Sequence, residues 1–315
     1  MPLRVHMVRE PESDHREALT ALLAGVADVS FGPDVPPDTV VLIEGQLKDE
    51  HLDGAPLVEH VVIPFAGLQP GTRDVMAKHP AITLHNLHHN AAMTAEMAMA
   101  LLLACARRIV PLHNGFMHDD WEPRFFSRDA LSLCNKTVVV LGYGAIGQRV
   151  GAACAALGMH VVGVRSQKNG AVRGVGELRE LLPRADFLVA TLPLTPETEG
   201  LVGKEEIALL PKHAVIVNVG RGRVIDEEAL FEALKEGRID SAGLDVWYRY
   251  PKSSDDKTPP SDFPFASLPN VVMTPHVGGA TRDAEPERMK GLAALIKEIA
   301  AGNHAANRVQ VARGY

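Results

Sequence analysis

The sequence predicts an α/β protein of two domains, and three observations lead there. The chain has 315 residues, more than a single hydrophobic core comfortably organises. Short apolar runs alternate with helical patterns along most of its length, which is how parallel strands covered by helices on both faces read. From Thr137 onward a β-branched run leads through a glycine-rich turn into a helix, the opening of a doubly wound sheet.

In the first part, Leu3–Val8, Val40–Ile43 and Val61–Pro64 read as strands, with a helix over Glu12–Leu23. Ala91–Val110 reads as one long helix rich in Ala, Met and Leu, whose small residues suit close packing between domains or against a second subunit. Residues 112–136 read as an irregular connecting loop. Beyond it the alternation is regular. Strands are expected at Thr137–Leu141, His160–Val164, Phe187–Thr191, Ala214–Val219, Ala242–Val246 and Val271–Thr274. Helices are expected at Ile146–Leu157, Glu177–Leu182, Lys204–Leu210 and Asp226–Lys235, with Asp226 placed as an N-cap. A last helix, Glu285–Ala301, is expected to return to the first domain.

Composition narrows the function. Apolar residues make up 46% and charged residues 23%, with a formal net charge of −7. Lys and Arg form only short pairs such as Arg107–Arg108, so no phosphate-neutralising surface for nucleic acid is expected. The longest apolar run, Met97–Ala106, is shorter than the roughly 18–20 residues of a membrane span. Met1–Val8 is short and interrupted by Arg4 and His6, unlike a secretory signal. Cys105, Cys134 and Cys154 form no CxxC pair and read as buried thiols in a reducing compartment. A cytoplasmic protein with neither membrane nor nucleic-acid partners is expected.

The turn Gly142–Gly147 has the spacing GxGxxG between strand and helix. Gly142 permits the tight turn, Gly144 lets a pyrophosphate approach the backbone, and Gly147 lets helix and strand pack closely. The helix N-terminus offers free N–H groups to phosphate. A nicotinamide dinucleotide is therefore expected here. The next strand ends in Arg165 and Ser166, where an NAD-binding chain usually carries Asp or Glu for the ribose hydroxyls. A guanidinium suits a 2′-phosphate, so NADP is favoured over NAD. The other reading is that Arg165 stacks on adenine and NAD still binds.

Further motifs follow: NAAMTAE at Asn90–Glu96, LPLTPETEG from Leu192, NVGRGRVIDEEAL from Asn218, AGLDVW, and TPHVGG. Together they resemble the D-isomer-specific 2-hydroxyacid dehydrogenase family, over about Ile82–Thr281. The resemblance implies a Rossmann-type doubly wound parallel sheet, residues 96–285, inserted into a flavodoxin-like substrate domain of residues 1–95 plus 286–315. It implies hydride transfer between NAD(P)(H) and a small 2-hydroxy or 2-oxo acid, commonly in a homodimer formed through the cofactor domains. By position, Arg221 matches the arginine that binds the substrate carboxylate and 2-oxo oxygen, and His276 matches the acid/base. Asp245 matches the residue holding the nicotinamide carboxamide. Ala66 and Gly67 match the amides that take the substrate carboxylate, and Asn90 matches an asparagine near the reaction centre. Further cofactor contacts implied are Tyr143, Ala145, Ile146, Leu192, Pro193, Thr198, Val219, Gly220 and Gly278.

One position departs. The family places a glutamate five residues after the aspartate, where it hydrogen-bonds the catalytic histidine and raises its pKa. This chain has Tyr250, followed by Pro251 and a longer polar segment. A phenol can orient His276 but cannot hold an imidazolium as a carboxylate does, so His276 is expected to titrate low. Asp255, Asp256 or Asp262 could substitute by folding back. Formate dehydrogenases resemble the family and carry glutamine at this position, because formate oxidation needs no proton shuttle. Formate oxidation therefore stays an alternative, as does a dinucleotide-sensing protein without turnover. His85, His88 and His89 have the spacing H-x-x-H-H, with no adjoining acid. They read as packing or substrate-contact residues rather than metal ligands.

Overall fold

The computed structural model describes residues 2–127, 129–303 and 307–312. The chain divides into two compact units, Met1–Asn90 with Arg282–Tyr315, and Ala91–Thr281.

The first unit contains β1 (Leu3–Met7), α1 (Ser13–Leu22), β2 (Ala27–Phe31), β3 (Val41–Ile43), α2 (Asp49–Asp53), β4 (His60–Val62), α3 (Pro70–Lys78) and β5 (Thr83–His85). Its five strands are all parallel, in the order β2-β1-β3-β4-β5. One face packs on Leu19 and Leu23 and on Leu292 and Ile296 of the C-terminal helix, Ala284–Ala300. The other packs on Leu52, Val75 and Met76. The last helix thus belongs to this unit, as its position in the sequence suggested. Residues 307–312 run beside β5, with Val309 N–H donating to the Leu84 carbonyl at 2.8 Å. Strand β2, helices α2 and α3, and strand β5 were not read from sequence. Their segments are short, and all but β2 are polar at most positions, so tertiary pairing sets them.

The second unit opens with α4 (Ala91–Ala106), α5 (Ile109–Phe116) and α6 (Glu122–Phe126). Here the structure corrects the expected single helix to Val110. The chain breaks at Arg108, whose backbone is left-handed (φ 55°) and whose guanidinium pairs with Asp240 at 2.6 Å. The Ala106 carbonyl accepts from Leu131 N–H at 2.7 Å, capping the first helix. Pro111 then falls in the first turn of α5, where no N–H is needed. The segment read as an irregular loop therefore holds most of α5 and all of α6.

The rest is β6 (Thr137–Leu141), α7 (Ala145–Ala156), β7 (His160–Arg165), β8 (Arg173–Gly174), α8 (Leu178–Leu181), β9 (Phe187–Ala190), α9 (Lys204–Leu209), β10 (Val215–Asn218), α10 (Glu227–Lys235), β11 (Ser241–Leu244) and β12 (Val271–Met273). The Asp226 carboxylate accepts from Ala229 N–H at 2.8 Å, the cap its position suggested. The strands form one parallel sheet, β12-β11-β10-β9-β6-β7-β8. Along β6, Val139 and Leu141 enter one core while Val138 and Val140 enter the other. Burial on both faces explains the continuous apolar runs, and each such side chain contributes about 1.5–3 kcal/mol. Helix α4 lies on this sheet: a Cβ on Gly243 would meet Leu101 Cβ at 2.8 Å. Its small residues serve close packing within the unit. Cys105 and Cys154 are buried, and burial pushes their thiols up to about 12 and about 11. Cys134, expected to be buried, is exposed. Among the described residues no helix is long and apolar enough to cross a membrane.

Candidate active site

Strand order reverses between β6 and β9, and a parallel sheet presents its ligand crevice at the strand C-termini beside such a switch. Three loops meet there. Gly142 adopts φ +91°, and a Cβ on it would sit 3.0 Å from the Thr191 carbonyl carbon. A Cβ on Gly147 would lie 2.4 Å from Gly142 O, and one on Gly220 would lie 2.6 Å from Leu192 O. By contrast, a Cβ on Gly144 would meet nothing nearer than 4.0 Å, so open space lies over the turn. Gly144 caps α7, whose first turn, Ala145, Ile146 and Gly147, leaves its N–H groups without helical acceptors. A bare backbone cradle at a helix N-terminus fits a pyrophosphate. Thr191, which sequence reading passed over, ties two loops together by donating to Gly142 O at 2.7 Å. Thr198 donates to Pro193 O at 2.7 Å and so closes the turn after β9.

Arg165 ends β7. Its Nε donates to the Tyr143 carbonyl at 2.6 Å, which holds the guanidinium at the glycine turn. Tyr143 is wedged over two glycines: a Cβ on Gly163 would lie 2.5 Å from its ring, and one on Gly151 would lie 2.7 Å from its hydroxyl. Ser166 beside it is exposed.

Arg221 lies just past β10 in extended conformation. Asn218 shapes that turn from a buried position. Its side-chain amide donates to Arg221 O at 3.0 Å, and its side-chain oxygen accepts from Gly220 N–H at 3.1 Å. Val219 and Gly220 are buried beneath it. Burial pushes the Arg221 pKa below the ordinary value while Tyr250 opposes this.

His276 follows β12 with a left-handed backbone, φ 58°, which costs a non-glycine residue roughly 1–2 kcal/mol. Buried Asp245 grips the turn around it. Its Oδ1 accepts from Thr274 Oγ1 at 2.6 Å and Val277 N–H at 2.9 Å, and its Oδ2 accepts from Gly278 N–H at 2.9 Å. Trp247 adds a bond from Nε1 to Thr274 O at 2.9 Å. The surrounding protein and the Arg221 charge both push the His276 pKa down, and Asp245 pushes it up.

Tyr250 stands beside His276, ring centroids 5.3 Å apart and tilted by 52°. Its hydroxyl accepts from Trp247 N–H at 2.9 Å. Burial raises the Tyr250 pKa, against the pull of Trp247 N–H and Arg221. Two of the acids that could have replaced the glutamate are committed elsewhere: Asp256 accepts from Lys252 N–H and from Thr258, and Asp262 pairs with Arg249 at 2.8 Å. Among the described residues no carboxylate bonds the His276 ring.

In the first unit, Ala66 and Gly67 form the turn after β4, and Ala66 O accepts from the Asn86 side chain at 2.9 Å. Asn90 is the unit's last residue before α4. The three histidines have separate settings. His85 Nε2 lies 3.1 Å from His60 Nδ1, His88 is exposed, and His89 Nε2 lies 3.5 Å from Arg288 Nε. Burial, aided by Arg288, pushes His89 down to about 4.

A parallel sheet with this strand order and this glycine cradle defines a dinucleotide-binding fold. The model of the D-isomer specific 2-hydroxyacid dehydrogenase NAD binding domain matches residues 99–278, and the chain belongs to that family. It is similar to a D-3-phosphoglycerate dehydrogenase of Methanocaldococcus jannaschii, 39% identical over 69% of this chain and 41% of the relative. It is also similar to a glyoxylate reductase of Thermococcus onnurineus, 30% identical over 93% of this chain and 86% of the relative. Against mycobacterial D-3-phosphoglycerate dehydrogenases the chain spans about half of their length, 49%. The structure resembles a D-isomer specific 2-hydroxyacid dehydrogenase from Xanthobacter autotrophicus Py2 in complex with NADPH and MES. The TM-score is 0.82 at 25% identity, and both chains are covered completely.

Proposed function

We propose that this chain transfers hydride between NADP(H) or NAD(H) and the C2 position of a small 2-hydroxy or 2-oxo acid. The observation that carries the reading is the grouping of Arg221, Tyr250 and His276 beyond the C-terminal ends of β10, β11 and β12, with the Tyr250 and His276 rings 5.3 Å apart and the Arg221 charge acting on both. Arg221 offers a planar fork of donors to the substrate carboxylate and steadies charge developing on the 2-oxo oxygen. His276 gives a proton to that oxygen during reduction and takes it from the hydroxyl during oxidation. Held at the glycine cradle Gly142–Gly147, the dinucleotide would supply or accept the hydride at C2. Asp245 and Gly278 would lie along its nicotinamide end, and Ala66, Gly67 and Asn90 are proposed to contact the acid. The first unit would be the substrate domain and the second the cofactor domain.

The test is a panel of glyoxylate, hydroxypyruvate, pyruvate and longer 2-oxo acids with NADPH and NADH, following loss of reduced cofactor. Turnover is expected with at least one acid, and H276Q should lower kcat by about a hundredfold or more. Full activity in H276Q would overturn the assignment. The absence of a carboxylate at His276 favours a second reading, formate oxidation, so formate with the oxidised cofactors belongs in the panel. Cofactor binding without turnover of any acid would indicate a sensor.

For cofactor choice, the Arg165 guanidinium is held at the glycine turn through its Nε, and its remaining donors suit a 2′-phosphate. NADPH should therefore exceed NADH in kcat/KM, and R165L should cut that preference by about tenfold or more. A wild-type preference for NADH would sink the proposal.

A further inference from the structure

We infer that Asp245 is a positioning residue for His276, acting through Thr274, Val277 and Gly278, in addition to any contact with the nicotinamide. The inference rests on the proposed role of His276.

The geometry is specific. One buried carboxylate collects three donors from a five-residue turn, and those donors lie on both sides of His276 in sequence. The turn needs such a grip because His276 sits at φ 58°, a conformation its own backbone disfavours. Gly278 is part of the same fit: a Cβ there would lie 2.7 Å from Asp245 Oδ2. Trp247, two residues after Asp245, donates to Thr274 O, and Tyr250 both accepts from Trp247 N–H and stands beside the His276 ring. Residues 245–250 and 274–278 are thus sewn together, and the charged or titratable groups of this unit acting on His276 are Arg221, Asp245 and Tyr250. Among the described residues no carboxylate bonds the His276 ring, and this backbone grip supplies the orientation such a partner would otherwise give.

An amide at position 245 cannot reproduce it. Whichever way the amide of D245N turns, its NH2 faces the N–H of Val277 or of Gly278. Thr274 isolates the positioning effect, because its hydroxyl bonds the carboxylate without altering its charge.

The experiment compares D245N, T274V and T274S in the full chain. T274V should lower kcat by about tenfold or more, since small misplacements of a reacting group carry such costs. NADPH affinity, read by fluorescence titration, should be unchanged. T274S, which keeps the hydroxyl, should restore kcat. NMR titration of His276 in the chain without cofactor should show a lower midpoint in D245N, which lacks the nearby negative charge. Wild-type kcat in T274V would overturn the inference. So would a D245N protein that binds NADPH weakly while His276 titrates unchanged, because Asp245 would then serve the cofactor alone. If T274V does not fold, T274A, which removes the same hydroxyl, carries the same readouts. The NMR titration needs no turnover, so failure of the inference is separable from failure of the reaction, which H276Q tests.

Discussion

At the residue scale the informative position is Tyr250. Its place in the sequence marks a missing carboxylate, and the structure adds that its hydroxyl accepts from Trp247 N–H. His276 is left with a ring contact, a neighbouring guanidinium and a depressed pKa. The sign follows. In the proposed reaction, reduction needs protonated His276 and fades as pH rises through its pKa. Oxidation needs the neutral ring and fades as pH falls through it. A depressed pKa therefore ends reduction at lower pH and extends oxidation to more acidic solution. Y250E should raise the His276 pKa, so the acidic limb of kcat for oxidation moves up by about one pH unit. Superimposable pH profiles for Y250E and wild type would refute the pairing.

At the element scale the strand–turn–helix of β6 and α7 is held by backbone proximity. A methyl on Gly147 would meet the Gly142 carbonyl at 2.4 Å, and neither the turn nor the helix can yield without moving the cradle. G147A should weaken NADPH binding by about tenfold or more by fluorescence titration, since the phosphate contacts depend on that backbone. Unchanged affinity would show that the cradle adapts. The glycine spacing was legible because it needs only local geometry. The break at Arg108 was not, because it depends on Asp240, more than a hundred residues away in sequence. The same holds for Asn218 and Thr274. Each is an ordinary polar residue whose role appears only when its partner loop is in place.

At the scale of the whole molecule, α5 and α6 leave Ile109, Phe116, Met117, Trp121, Phe125 and Phe126 exposed, with Phe126 76% accessible. A cluster of large apolar side chains on one surface marks an association site. The family resemblance implies a homodimer formed through the cofactor domains, so we propose this face as its interface. F126E combined with F125S should shift the chain from dimer to monomer by sedimentation or light scattering. A wild-type monomer at micromolar concentration, or a dimer unaffected by both changes, would overturn the proposal.

The sequence by itself determined the fold class, the sheet of the second unit, the glycine cradle and the chemical types gathered near it. These follow from periodicity and turn chemistry within a few residues, and the motifs carried the family. Tertiary structure alone decided how the site is held. Asp245 reads in sequence as one acid in GLDVW, yet its carboxylate gathers donors from residues 274–278. Asp256 and Asp262 read as possible partners of His276, yet their bonds lie within their own loop and with Arg249. Hydrogen bonds between loops distant in sequence depend on the packing of the strands that carry them. Residue type and local pattern do not encode that distance.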